Sequence, residues 1–120
     1  RKFRKVMGGG MRQAGIIAAG GLYALKNNID RLKIDNDRAK KIGQVLQSLD
    51  YIESVAPIHT NIIVFDLKGM GSEAFIAKLN AANIYAKPIS GETMRFVTHM
   101  DQSDEMIDHL ISTLRSISYN

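Results

Sequence analysis

The chain has 120 residues, 45% hydrophobic and 23% charged, so it can bury one core and does not have a disordered composition. Sixteen Lys and Arg against twelve Asp and Glu give a net charge of +4. The chain has no cysteine, which excludes disulfides and thiolate chemistry and favours a cytoplasmic protein. No apolar run approaches the roughly 18 residues of a membrane span, so no membrane partner is expected. The abrupt opening at Arg1 favours a piece of a longer chain.

The positive charge is concentrated at the start, where residues 1–40 carry ten basic and three acidic side chains. The cluster Arg1–Lys5 has the charge of a nucleic-acid contact, but Phe3 is its only aromatic residue. A solvated helix face is the commoner explanation of such a cluster. The charge therefore favours a solvated face over a nucleic-acid contact.

Gly8–Gln13 follows, with three consecutive glycines before a predicted helix. Glycine lets the backbone approach a ligand closely, and exposed amides there, with Lys5 and Arg12 nearby, suit a phosphate or carboxylate. A flexible hinge between two domains fits the same residues. The run matches neither the phosphate-binding loop nor the dinucleotide fingerprint.

Two helices are predicted next. The first, from Met11 to about Asn27, is rich in Gly and Ala, and glycine costs a helix about 1 kcal/mol relative to alanine. Its small side chains therefore indicate close packing against another part of a larger protein or another subunit. The second helix, from about Ile29 to Ser48, has one apolar face at three- and four-residue spacings.

The remainder predicts a small sheet with helices. Strands are expected at Ile62–Phe65 and Met94–Thr98, with a short extended piece at Ile84–Ala86. Helices are expected at Glu73–Ala82, with Ser72 as N-cap, and after the N-cap Ser103. This order predicts an α+β fold, a small sheet with helices packed on one face.

Arg95 is the candidate binding residue of the second long strand. It alternates with apolar neighbours, and a guanidinium in that position needs a carboxylate or phosphate to satisfy its donors. The partner is either an anionic ligand or a structural Asp or Glu. The histidines His59, His99 and His109 lack a second ligand at metal spacing, so no metal site is predicted.

Four segments of the chain form a recognisable pattern in their order and spacing, namely Arg4-Lys5, Gly8–Gly15, Leu22–Leu25 and Arg95–Asp101. Together they resemble the C-terminal part of the low-specificity L-threonine aldolases. The resemblance covers nearly the whole chain. It implies the small C-terminal domain of an aspartate-aminotransferase-like (fold type I) enzyme that uses pyridoxal 5′-phosphate (PLP) to cleave L-threonine or L-allo-threonine to glycine and an aldehyde.

The resemblance also implies roles for residues. By position, Arg95 resembles the arginine that binds the substrate carboxylate, and Lys5 and Arg12 resemble basic residues near the cofactor and substrate pocket. The lysine that attaches the cofactor lies upstream of this segment in the family, and neither Lys26 nor Lys87 matches it. No catalytic residue is therefore assigned, and the chain alone is expected to be inactive.

The resemblance divides the chain at residue 28. Residues 1–28 would be the end of the large cofactor domain and the interdomain helix, and residues 29–120 the small domain. The expected partners are an amino-acid substrate and further copies of the enzyme, as a tetramer, with no nucleic acid. The alternatives are another PLP-dependent β-eliminating lyase, or a free-standing α+β module that binds nucleic acid or an amino acid.

Overall fold

A computed structural model of the chain describes residues 1–118. It forms two compact units, Arg1–Leu32 and Lys33–Asn120. The helices are α1 (Lys2–Val6), α2 (Gly15–Asn27), α3 (Leu32–Leu46), α4 (Ser72–Ala81) and α5 (Asp104–Ser116). The strands are β1 (Ile52–Val55), β2 (Ile62–Leu67), β3 (Lys87–Ser90) and β4 (Thr93–Val97). Within residues 1–118, no helix has both the length and the apolar composition needed to cross a bilayer.

In the first unit, the glycine run ends helix α1. Gly8 takes a φ of +80°, and its amide donates to the Lys5 carbonyl, while the Gly9 amide donates to the Arg4 carbonyl at 2.7 Å. A Cβ on Gly9 would lie 2.9 Å from that carbonyl oxygen, closer than side chains tolerate. The glycines thus allow a tight helix end that other residues would strain.

Helix α2 follows, and every one of its residues is exposed. It begins at Gly15 rather than at Met11 as predicted, because Gln13 takes a φ of +48° that interrupts any helix before it. Large apolar side chains on α2 include Ile16 at 84% and Leu25 at 67% exposure. The residues of the first unit therefore bury none of the side chains of this apolar helix.

In the second unit, four strands form one antiparallel sheet in the order β1-β2-β4-β3. Alternate residues of β2 are buried, and the core joins one face of the sheet to α3, α4 and α5. The predicted α+β fold with helices on one face is confirmed. The core centres on Phe65, whose ring lies 4.9 Å from that of Phe96 and 6.0 Å from that of Phe75, both in edge-to-face geometry.

In the second unit, one strand was missed and two local predictions were wrong. Strand β1 was not predicted, because its four residues include the polar pair Glu53-Ser54. The strand expected at Ile84–Ala86 lies instead at Lys87–Ser90, where Pro88 is tolerated because β3 is an edge strand. Helix α4 begins at Ser72, one residue earlier than expected, and its N-cap is Gly71 rather than Ser72, without a capping side chain.

Ser103 is confirmed as the N-cap of α5, since its hydroxyl accepts a hydrogen bond from the Met106 amide.

Tyr51 ties the chain before β1 to the end of α5, because its buried hydroxyl donates to the Leu114 carbonyl at 2.7 Å. Removing this hydroxyl leaves a buried carbonyl with a weaker partner. We expect Tyr51→Phe to lower the free energy of unfolding by about 1–2 kcal/mol at neutral pH, measured by urea denaturation. The exposed Tyr85 provides the control, and Tyr85→Phe should leave the stability unchanged.

The same phenol makes stability depend on alkaline pH. Burial raises the pKa of Tyr51 above its usual value of 10. Because the folded-state pKa is the higher one, this contribution is present below pH 10 and is lost as the pH rises toward the folded-state value. The Tyr51→Phe variant should therefore lose less stability above pH 10 than the parent chain, and equal losses would contradict the assignment.

Candidate functional site

The sheet has a second face, opposite the helices, and Arg95 lies on it. Met94 is fully buried in the core and Phe96 packs against it, so Arg95 between them points away from the helices. On the neighbouring strands, Val64 of β2 and Lys87 of β3 are its register partners. This open face places a cation in the middle of the sheet.

The Arg95 guanidinium is exposed, and its side chain makes no hydrogen bond or ion pair with any residue of the described range 1–118. The sequence left open a structural Asp or Glu as its partner. No such carboxylate pairs with it within that range. The side chain is therefore available to an anion from outside.

Asp66 is an acidic residue of the open face, two residues along β2 from Val64, the register partner of Arg95. Two hydroxyl groups donate hydrogen bonds to its carboxylate. Thr93 donates to its Oδ1 at 2.7 Å, and Ser54 donates to its Oδ2 at 2.8 Å. These hydrogen bonds, that from Thr93 first, lower the pKa of the Asp66 carboxyl. Because both oxygens already accept hydrogen bonds from hydroxyls, the carboxylate is stabilised without a guanidinium.

Arg95 and Lys87 also line a groove of about 240 Å³. Apolar side chains of α3 and α5 contribute to its wall, with Ile42, Ile107 and Leu110 among them. A mostly apolar hollow with a few polar groups is typical of small-molecule sites. The groove therefore offers an apolar surface on the helix side of the two strands that carry Arg95 and Lys87.

The residues after Arg95 fix the end of β4. The Thr98 hydroxyl donates to the Asp35 carbonyl at 2.7 Å. The Thr98 backbone amide donates to the Asn61 carbonyl at 2.9 Å, and the Asn61 side-chain amide donates to the Thr98 carbonyl at 2.7 Å. Thr98 is 2% exposed. These bonds join β4 to the start of β2 and to α3, and thereby hold the strand that carries Arg95.

Lys5 and Arg12 belong to the first unit. Lys5 lies at the end of α1 and Arg12 in the turn after the glycines; both are exposed, and neither side chain has a hydrogen-bond or ion-pair partner among residues 1–118. The amides of Gly8 and Gly9 cap α1, so they are not the free anion donors that the glycine run suggested.

Two of the three histidines form hydrogen bonds with backbone groups. The His109 Nε2 contacts the Ala82 carbonyl at 2.8 Å, and the Asp101 amide donates to the His99 Nδ1 at 3.3 Å. Over the described part of the chain, no three His, Cys, Asp or Glu residues come together as a metal site.

Sequence reasoning missed the pairing of Lys87 with Arg95. The expected extended piece ended at Ala86, so Lys87 lay outside it. The one available signal was the position of Lys87 immediately before Pro88, since residues before proline favour extended backbone.

A family model of beta-eliminating lyases matches residues 1–69. The chain belongs to the beta-eliminating lyase family. The match includes α1, α2 and α3 and the strands β1 and β2. Arg95 and the groove residues of β3, β4 and α5 lie beyond the matched range, so other relatives inform that part.

Curated relatives cover the whole chain. The low specificity L-threonine aldolase of Escherichia coli (strain K12) is 36% identical over 117 residues, which are 96% of this chain and 33% of that protein. A probable low-specificity L-threonine aldolase 2 of Arabidopsis thaliana is 30% identical over 124 aligned positions, 100% of this chain and 35% of the relative. The chain thus spans about a third of the length of these relatives.

Solved structures support the fold. The cystine C–S lyase C-DES, in complex with its product cysteine persulfide, superposes with a TM-score of 0.65 at 20% identity, over 88% of this chain and 29% of that one. A histidinol-phosphate aminotransferase from Clostridium acetobutylicum gives a TM-score of 0.57 at 15% identity, over 66% and 25%. These enzymes share the architecture of this chain.

Proposed function

We propose that this chain is the C-terminal portion of a PLP-dependent lyase that cleaves L-threonine or L-allo-threonine to glycine and acetaldehyde. Membership of the beta-eliminating lyase family and similarity to L-threonine aldolases over the chain's length support the proposal. The substrate class is that of β-hydroxy-α-amino acids. The chain's own part in the reaction is to bind and orient this substrate.

The observation that carries the proposal is the exposed Arg95 guanidinium on the open face of the sheet, which has no hydrogen-bond or ion-pair partner among residues 1–118. A guanidinium presents two parallel donors that match the two oxygens of a carboxylate. Two hydrogen bonds fix the plane of the carboxylate as well as its position. Arg95 would therefore hold the substrate α-carboxylate and limit rotation about the bond to Cα.

The positive charges of Lys5 and Arg12 are complementary to an anionic cofactor. Lys5 and Arg12 are exposed cations without partners in the described range, which suits the neighbourhood of a phosphate or a carboxylate. Pyridoxal phosphate, when bound, supplies the sink for the electrons of the broken Cα–Cβ bond. The lysine that attaches it is assigned upstream of this chain, so neither Lys26 nor Lys87 takes that role.

The orientation imposed by Arg95 decides which bond breaks. A carboxylate that Arg95 holds in one direction would restrict the orientation of the other bonds of Cα, and the Cα–Cβ bond would be the one presented for cleavage. The β-hydroxyl loses its proton as the aldehyde forms, and Cα gains a proton to give glycine. The role proposed for Arg95 is to bind the carboxylate, and it takes no part in either proton transfer.

The two parts of the chain are assigned to two domains of the parent enzyme. Residues 1–28 would complete the large cofactor domain and the interdomain helix, and residues 29–120 would form the small domain. The uniformly exposed, apolar α2 supports this assignment, because such a helix gains stability only by packing against more protein. The parent is proposed to be a homotetramer, with α2 packed in its interior.

We expect the isolated chain to show no absorption band of bound cofactor and to release no acetaldehyde from L-threonine. The reason is chemical, since covalent attachment of the cofactor needs a deprotonated lysine at a fixed place. Absorbance spectroscopy after incubation with the cofactor and gel filtration tests this. One equivalent of cofactor, trapped on a single lysine by borohydride, would contradict it.

The parent enzyme provides the test of the function itself. Incubated with L-threonine, it should form glycine and acetaldehyde in equal amounts. A β-eliminating relative would instead form 2-oxobutyrate and ammonia from the same substrate. Detection of 2-oxobutyrate without glycine would replace the aldolase assignment, while Arg95 would still serve as the carboxylate ligand.

A further inference from the structure

Lys87 stands directly opposite Arg95 on the open face of the sheet. The two residues are register partners of β3 and β4, so their side chains leave the same face with Cβ atoms about 5 Å apart. Both are exposed, and neither side chain has a hydrogen-bond or ion-pair partner within residues 1–118. Two adjacent cations therefore share the open face of the sheet.

Such a pair is unfavourable without an anion. Like charges directly opposite one another destabilise an antiparallel pair of strands. The acidic residue nearest in register, Asp66, is already held by Thr93 and Ser54. At the far edge of the sheet, Glu53 Oε2 lies 3.5 Å from Lys68 Nζ and forms an ion pair with it. The charge of the pair is thus left for a ligand to balance.

A single carboxylate neutralises only one of the two cations. Under the proposed function, Arg95 binds the α-carboxylate of the substrate, which leaves the ammonium of Lys87 uncompensated beside the substrate side chain. Lysine is a point charge on a flexible stem and can follow an acidic group over several positions. A carboxylate on the carbon next to Cα would lie within reach of this flexible stem.

We propose that Lys87 is a specificity-determining residue that binds a carboxylate on the substrate side chain. The preferred substrate class is then a β-hydroxy-α-amino acid with two carboxylates, which cleaves to glycine and a 2-oxo acid. This inference rests on the proposed function, because it assumes that Arg95 holds the α-carboxylate. The Cα–Cβ bond breaks and the β-hydroxyl loses its proton as for threonine, so the balance of atoms is unchanged.

The test measures kcat/KM of the parent enzyme for L-threo-3-hydroxyaspartate and for L-threonine, by the rate of glycine formation. We expect the unsubstituted enzyme to prefer the dicarboxylate by about 10-fold or more, as a charge-assisted hydrogen bond near a surface provides. Lys87→Gln should lower the ratio of the two values about 10-fold, and Lys87→Glu should lower it further. Lys87→Arg keeps the charge and should keep most of the preference.

Lys40→Gln is the matched control, because Lys40 is an exposed lysine of α3 outside the groove, and the ratio should not change. Raising the salt concentration should also lower the preference, since exposed charges are screened. An unchanged ratio in Lys87→Gln, with threonine still cleaved, would overturn this inference and leave the proposed function standing. If neither amino acid yields glycine, the proposed function fails and the inference with it.

Discussion

Replacing Arg95 with alanine in the parent enzyme is expected to lower kcat/KM for L-threonine by about 30- to 1000-fold, equivalent to roughly 2–4 kcal/mol of transition-state stabilisation. The magnitude is that of a charge-assisted, two-point hydrogen bond in a closed site. The loss combines weaker binding with poorer orientation of the Cα–Cβ bond. Steady-state kinetics of glycine formation measures it.

Two further variants separate geometry from charge. Arg95→Lys keeps the charge but loses the paired donors, so it should recover only part of the activity. Lys2→Ala removes an exposed charge of the same sign and should change little. Cofactor affinity should stay nearly normal in all three variants. Near-parental efficiency of Arg95→Ala, or loss of the cofactor rather than of substrate binding, would show that Arg95 is not the carboxylate ligand.

The largest effect on stability is expected from Phe65→Ala. Phe65 is 1% exposed at the centre of the sheet, and its ring contacts those of Phe75 and Phe96. Truncation removes apolar burial and leaves a cavity, at a cost of about 3–5 kcal/mol. This is a large part of the free energy of unfolding of a small domain. The midpoint temperature of thermal unfolding should therefore fall strongly, or the cooperative transition should disappear.

Phe3→Ala is the matched control for this truncation. Phe3 lies in α1 and is 81% exposed, so its removal should change the free energy of unfolding by less than about 0.5 kcal/mol. Circular dichroism during urea denaturation measures both variants. Equal stability of Phe65→Ala and the unsubstituted chain would contradict the position of the core.

The parts of the fold that the sequence predicted are those with strong periodic patterns. Helix α5 repeats apolar residues on one face and has an N-cap at Ser103, and β2 is a run of β-branched and aromatic residues. Both signals are local, because a face of one helix or strand must be apolar to reach the core. The overall arrangement of a sheet with helices on one face followed from them.

The parts that were missed depend on contacts distant in the sequence. Strand β1 is short and polar in its middle, and only its pairing with β2 makes it a strand. Strand β3 contains Pro88 and exists because β4 offers it an edge. For the same reason, the sequence proposed Arg95 as an anion ligand but gave no sign of Lys87 opposite it, since strand register decides which side chains meet.

The most direct test of the central claim compares L-threonine with L-threoninamide as substrates of the parent enzyme. The two differ only in that the amide lacks the negative carboxylate. We expect the enzyme with Arg95 to prefer threonine by about 30- to 1000-fold in kcat/KM, and Arg95→Ala to reduce this preference to a few-fold. A preference that survives unchanged in Arg95→Ala would show that another residue binds the carboxylate, and it would contradict the proposed role of this chain.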